Sequence, residues 1–254
     1  MFNSHNMFRA GLLAAVFALP MSAAAEDVSV VLVHGAFSDG SAWHKVIPVL
    51  QEAGIPVRAA QLSLSSLKED AAVVARLIDM QDGPVVLVGH SYGGNVITEA
   101  GSNDEVAALV YVAGLALEAE QSMAGLLEGQ PPAPWQAEIQ ADADGYIRLS
   151  ANGIQTFFAP DLPADETALI TATQGPIQYQ INYETPTVSA WSMRPTYYIL
   201  TETDQIIPPR LQGFFAQRMN AEVTQLDSSH VPMLSQPEAV ADVILKAVSD
   251  VSQD

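Results

Sequence analysis

Val85-Val86-Leu87-Val88-Gly89-His90-Ser91-Tyr92-Gly93-Gly94-Asn95-Val96-Ile97-Thr98 decides how this chain is read. Four apolar β-formers lead into a glycine-flanked serine, and a helix pattern begins at once behind it. Gly-x-Ser-x-Gly alone is a weak signal, because glycine and serine are common. The strand before it and the helix after it make it specific. Such a turn is so crowded that the positions two before and two after the serine need glycine, and it lifts the hydroxyl clear of the sheet. It also sets the serine at a helix N-terminus, where developing negative charge is favoured. Ser91 is therefore the candidate nucleophile.

Outward from this turn, apolar runs alternate with helical patterns. The strand candidates are 28–33, 57–61, 85–88, 107–112, 196–200 and 222–226. Most are apolar almost throughout, as strands covered on both faces are. Ser66-x-x-Glu69 reads as a capping box opening one helix, and Ser235-x-x-Glu238 as another opening the last. A helix beginning near Ala42 finds its stop at Gly54. Alternating βα units imply the α/β class, a doubly wound, mainly parallel sheet of about six strands. Residues 114 to about 190 break the alternation. They hold a cluster at Pro131, Pro132 and Pro134, a hairpin turn at Asp144-Gly145 with 146–149 as its second arm, and a helix over 162–174 with Pro163 in its first turn. About seventy residues are few for a core of their own, so this stretch reads as a cap on a single domain spanning 26–254.

A serine hydroxyl needs a base oriented by an acid. Leaving aside the N-terminal leader, the histidines are His34, His44, His90 and His230. His34 and His90 end strands inside tight turns and read as structural; His44 falls on the first helix. His230, in Ser228-Ser229-His230-Val231-Pro232, follows the final strand and precedes the final helix, which makes it the candidate base. Asp204 follows the 196–200 strand and is the candidate acid, with Glu202 and Glu118 as alternatives. The oxyanion of an acyl-transfer intermediate needs two N–H donors. Tyr92, next after the serine, supplies one, and the turn His34-Gly35-Ala36-Phe37 supplies the other through Ala36.

Ten Lys and Arg stand against twenty-nine Asp and Glu, a formal net charge of −19. That balance argues against nucleic acid or an anionic membrane as a partner. Arg9, the apolar run 10–21 and Ser22-Ala23-Ala24-Ala25 form the pattern of a secretory signal peptide over residues 1–25, so the expected location is periplasmic or secreted, with no stable membrane insertion after cleavage. Cleavage removes Arg9 and no acid, leaving nine bases, twenty-nine acids and a net −20. With no cysteine in the chain, thiol nucleophiles and disulfides are excluded. The dispersed histidines form no metal-ligand pattern, so neither metal nor cofactor is expected.

The strings VLVHGAFSDGSAWHKVIPVL, GPVVLVGHSYGGNVITEAG and SSHVPMLSQPEAVADVI resemble the α/β-hydrolase superfamily across the chain beyond the leader. They are most similar to the branch of methyl-salicylate-type esterases, hydroxynitrile lyases and small bacterial esterases. The resemblance implies the α/β-hydrolase fold, a triad of Ser91, Asp204 and His230, and an oxyanion hole from the Ala36 and Tyr92 amides. Lyases of that branch typically carry Thr where this chain has Gly35, and Lys where it has Val231. Without a cation beside the base to stabilise a leaving cyanide, hydrolysis of a small-molecule ester is the expected reaction. The same triad also serves acyltransferases, lactonases and amidases, and some members of the superfamily only bind ligands. Leu126, Leu127, Trp135, Phe157, Phe158, Tyr179 and Tyr183 are the cap residues from which an apolar substrate pocket would be drawn.

Overall fold

The computed structural model describes residues 28–253; the expected signal peptide over 1–25 lies outside them. Strands β1 (Ser29–Val33), β2 (Val57–Ala59), β3 (Val85–His90) and β4 (Val106–Val112) come first. The short β5 (Ile139–Ala141), β6 (Tyr146–Leu149) and β7 (Ile177–Gln178) follow, and then β8 (Thr196–Thr201) and β9 (Glu222–Leu226). The main sheet has the order β2-β1-β3-β4-β8-β9, and each of its pairings is parallel. Its six strands are the six apolar runs. Their uneven burial follows from position. β1 and β3 are buried along their whole length between neighbours, whereas the edge strands β2 and β9 are half open. An edge strand has one neighbour and one solvated flank, so Glu222 and Gln225 are tolerated there.

Helices α1 (Val46–Glu52), α2 (Leu67–Ile78), α3 (Gly93–Ala100), α4 (Ala164–Thr173), α5 (Pro209–Met219) and α6 (Pro237–Val251) fill the connections. The chain steps from β1 outward to β2, then back across β1 to β3. With right-handed crossovers this reversal puts α1 and α6 on one face of the sheet and α2 and α3 on the other. It also creates a switch point between β1 and β3, the crevice where doubly wound sheets bind ligands. The loops after β1 and β3 are the ones carrying Ala36 and Ser91.

The capping signals divide. Ser66 Oγ accepts the Glu69 amide at 3.2 Å and opens α2, and Gly54 follows α1 at φ +79°. Ser235 does not open α6. It closes a four-residue helix, Pro232–Ser235, and its hydroxyl bonds Ser228 Oγ at 2.8 Å. Pro237 is the cause: a residue before proline avoids the helical region, Gln236 stands outside it at φ −137° and ψ 56°, and proline starts a helix without needing an N–H partner. His44 precedes α1 at the end of a 3₁₀ turn (Gly40–Trp43), and Pro163 stands just ahead of α4.

Between β4 and β8 the chain builds a small antiparallel sheet, β5-β6-β7, with α4 and several short turns around it. Gly145, at φ +82°, turns the β5–β6 hairpin. Ile147, Leu149, Ile154, Phe158, Ile177 and Ile181 are buried and continuous with the main core. The inserted segment shares that core. Among the described residues no helix is long and apolar enough to cross a membrane.

Candidate active site

The turn after β3 is shaped by what its glycines prevent. A Cβ on Gly89 would fall 2.5 Å from the Gly93 carbonyl oxygen, and one on Gly93 would fall 2.6 Å from the carbonyl oxygens of Val33 and His34. Real Cβ atoms do not approach backbone that closely, so the turn closes on itself only because Gly89 lacks a side chain, and it meets the end of β1 only because Gly93 does. Ser91 pays in strain, at φ +52°, a region that residues with a Cβ rarely visit. Backbone bonds hold it there: its N–H donates to Val112 and its carbonyl accepts from Leu115.

His230 and Asp204 arrive from the ends of β9 and β8. Ser91 Oγ lies 2.8 Å from His230 Nε2, and His230 Nδ1 lies 2.7 Å from Asp204 Oδ2. All three residues are buried. A carboxylate can only accept, so Nδ1 carries the imidazole proton and Nε2 is left bare to accept the serine hydroxyl. Asp204 is satisfied on both oxygens. Oδ1 accepts the Ile206 and Ile207 amides; Oδ2 also accepts from Thr201 Oγ1 and from Gln212 Nε2. Glu202 is exposed, and Glu118 lies 3.7 Å from Arg218, so neither alternative acid occupies this place.

The Ala36 turn packs directly on the serine. A Cβ on Gly35 would lie 2.6 Å from Ser91 Cβ, which leaves no room for a threonine there without displacing the serine. Neither the Ala36 nor the Tyr92 amide donates to a protein acceptor among the described residues. Tyr92 is next in sequence to Ser91, and Ala36 follows the glycine that packs on it. Val231, beside the base, is apolar and buried.

His34 and His90 are buried and hydrogen-bonded, with assignable protons. His34 Nδ1 donates to the Gly35 carbonyl while Nε2 accepts the Leu62 amide. His90 Nε2 faces the His230 carbonyl oxygen at 2.8 Å and must be the donor, so its Nδ1 is a bare, fully buried nitrogen with no partner among the described residues. Burial pushes the His90 pKa well below the ordinary histidine value, and the neighbouring His230 adds to the shift; burial also lowers that of His34. Both rings are held neutral.

The sequence reading missed several supports. Gln212 holds Thr201, Asp204 and the Ile207 carbonyl together. Asp70, fully buried, accepts from Ser63, the Leu64 amide and the Tyr92 hydroxyl, anchoring the ring next to the nucleophile. Burial, reinforced by that carboxylate, pushes the Tyr92 phenol far above its ordinary pKa. A signal for both existed: each is a polar side chain on an otherwise apolar helix stripe, Gln212 with Phe215, Ala216 and Met219, and Asp70 with Leu67, Ala71 and Val74. The expected pocket residues also sort unequally. Phe158 lies edge-on to the His230 ring at 5.1 Å, and Trp135 meets Phe37, just past Ala36, at 6.3 Å. Leu127, Tyr179 and Tyr183 are exposed on the outside of the inserted segment.

A family model described as "Alpha/beta hydrolase family" matches residues 30–243. The chain belongs to the alpha/beta hydrolase family. Within the family it is similar to Methylesterase 1 of Arabidopsis thaliana, 23% identical over 248 residues, covering 85% of this chain and 94% of that one. It is also similar to the Pyrethroid hydrolase of Sphingobium wenxiniae, 25% identical over 243 residues, covering 85% of each. Its fold matches the crystal structure of polyneuridine aldehyde esterase with a TM-score of 0.76, at 20% identity over 87% of this chain and 99% of that one.

Proposed function

We propose that this protein is a serine carboxylesterase that hydrolyses a small or medium apolar ester through an acyl-enzyme on Ser91. The observation that carries the reading is the unbroken chain Ser91 Oγ–His230 Nε2 at 2.8 Å and His230 Nδ1–Asp204 Oδ2 at 2.7 Å, beside two unpartnered amides. Ser91 Oγ attacks the ester carbonyl carbon while His230 Nε2 takes its proton. Asp204 keeps the imidazole in the required tautomer and stabilises the imidazolium that forms. The Ala36 and Tyr92 amides receive the oxyanion. Collapse of the intermediate expels the alcohol, protonated by His230, and a water then repeats the cycle on the acyl-enzyme, returning Ser91 and a carboxylic acid.

Ester chemistry is favoured by the names of the relatives, a methylesterase and a pyrethroid hydrolase, and by the Phe158 ring beside the base. Phe37, Trp135 and Phe158 suit an uncharged acyl or alcohol group. The net charge of −19 disfavours anionic substrates and nucleic acid. Val231 in place of a cation favours hydrolysis over cyanohydrin cleavage. The signal-peptide pattern of residues 1–25 supports action in the periplasm or outside the cell.

The test is hydrolysis of a short-chain p-nitrophenyl ester by residues 26–254 and by its Ser91→Ala variant, with fluorophosphonate labelling of both. The variant is expected to lose about 10⁴-fold or more in kcat, with labelling abolished. An active or labelled Ser91→Ala protein would overturn the assignment.

A further inference from the structure

The inserted segment touches the base from two directions, and the contacts come from one short stretch of it. Residues Ile154–Phe158 form a π-helical turn, closed by the Ala159 amide donating to the Ile154 carbonyl at 2.8 Å. A π turn is a rare insertion of one residue into a helix, and it collects at functional sites. This one brings the Phe158 ring to 5.1 Å from the His230 ring and the Phe158 carbonyl to 3.4 Å from Ser229 Oγ. Three residues on, Asp161 takes up the loop itself. Its Oδ2 accepts the Ser229 amide at 2.9 Å and Ser228 Oγ at 3.2 Å, and its Oδ1 accepts Ser229 Oγ. Three donors from the two residues immediately before the base converge on one carboxylate. The same turn reaches the acid loop, where Gln205, next to Asp204, donates to the Thr156 carbonyl at 3.2 Å.

We propose that Asp161 is a positioning residue for His230, so that the inserted segment is part of the device that aims the base and not only a wall of the substrate pocket. This rests on the serine-hydrolase reading above. Ser228 and Ser229 are buried behind Asp161, which is itself exposed, so without it their hydroxyls and the Ser229 amide exchange a fixed acceptor for mobile water. The loop then relaxes, and His230 is the next residue along it. Attack by Ser91 requires the imidazole within hydrogen-bond reach, and a displacement of about 1 Å at a reacting group costs about 100-fold in rate. Asp161 does not touch the reacting atoms; it acts through the backbone of residues 228–230.

The experiment compares the wild-type protein with Asp161→Ala, Asp161→Asn, Ser229→Ala and the Asp161→Ala/Ser229→Ala double variant, assayed well below each thermal midpoint. Rates of Ser91 labelling by a fluorophosphonate are read beside kcat and KM for the p-nitrophenyl ester. Asp161→Ala is expected to slow labelling and kcat by about 10- to 100-fold, with KM within about three-fold. Asp161→Asn, which keeps one acceptor oxygen, should fall between. The double variant should be little slower than Asp161→Ala alone, as expected when two groups act through one contact. Asp165→Asn, on the exposed first turn of α4, removes a neighbouring charge without touching the loop and should stay within about two-fold of wild type. If Asp161→Ala does not fold, Ser229→Ala decides, with an expected slowing of about three- to ten-fold. Wild-type labelling rates in the folded variants, or additive losses in the double variant, would overturn the positioning role alone. An unlabelled wild type would overturn the hydrolase reading and the clamp with it.

Discussion

The two halves of the site are held by different means. On the sheet side, the turns after β1 and β3 are locked by backbone meeting backbone, with Gly35, Gly89 and Gly93 marking the contact points and Ser91 kept at φ +52°. On the inserted side, the ties are side-chain hydrogen bonds between segments far apart in the chain: Asp161 to Ser228 and Ser229, Gln205 to Thr156, Lys45 to Glu166. Backbone contact is unforgiving but precise, which suits a nucleophile and an oxyanion site. Side-chain ties are graded and replaceable, which suits a wall that must fit a particular substrate.

That contrast breaks most visibly at Gly93. Gly93→Ala drives a Cβ to 2.6 Å from two carbonyl oxygens that belong to β1 and its turn, and neither strand can withdraw without unpairing the sheet. The expected cost is above about 3 kcal/mol, the range of severe overpacking. For a chain of this size that lowers the thermal midpoint by about 6–12 °C, measured by calorimetry or circular dichroism. A midpoint within 2 °C of wild type would mean that the two turns are not locked as described.

The same contrast explains how far the sequence could be read. The six main strands and the Ser91 turn are local signals: apolar runs, glycines at fixed offsets and a helix start within fourteen residues. Chain order then pointed to His230 and Asp204, and the structure brings both into one hydrogen-bonded chain with Ser91. The Ser235 boundary was misjudged because Pro237, two residues on, sets it, and the half-open edge strands are set by a missing neighbour that no local signal shows. The supports of the inserted side left almost no trace. Asp161 sits in a loop with no periodicity, and its partners lie 67 and 68 residues away. Gln212 and Asp70 were detectable in principle, as polar residues on apolar stripes, but a stripe does not say what the polar group will meet.

His90 tests whether the sheet side depends on a neutral ring as well as on glycine. Its folded pKa is depressed by burial, with an unpartnered Nδ1, while in the unfolded chain it titrates near 6.5. The unfolded state therefore takes up a proton that the folded state refuses. The resulting stability is fully present above pH 6.5 and is lost as pH falls below it, toward the folded pKa. At one pH unit below, the loss for one such group is bounded by the unfolded-state titration at roughly 1 to 2 kcal/mol, a few °C in midpoint. His90→Gln keeps a donor for the His230 carbonyl and removes the titration. Between pH 7.5 and 5.5 its midpoint should fall less than that of wild type, with His34 supplying part of the slope that remains. Equal slopes would show that His90 is not held neutral.

The smallest effect is expected where the inserted segment meets the core through a partly exposed ion pair. Lys45 Nζ lies 2.7 Å from Glu166 on α4 and also donates to the Leu234 carbonyl at 3.0 Å. Both charged side chains are about 30% exposed, so water and salt screen them, and pairs of this kind contribute about 0–1 kcal/mol. Lys45→Met keeps the aliphatic stem and removes the charge. It should lower the midpoint by no more than about 4 °C, with the gap to wild type narrowing in 1 M salt, and leave kcat within about two-fold. Lys45 and Asp161 both tie the inserted segment to the region around His230, but only Asp161 bonds the residues that immediately precede the base. If Lys45→Met slowed turnover as much as Asp161→Ala, docking of the segment as a whole would govern the site, and the distinction between a docking tie and an aiming tie would collapse.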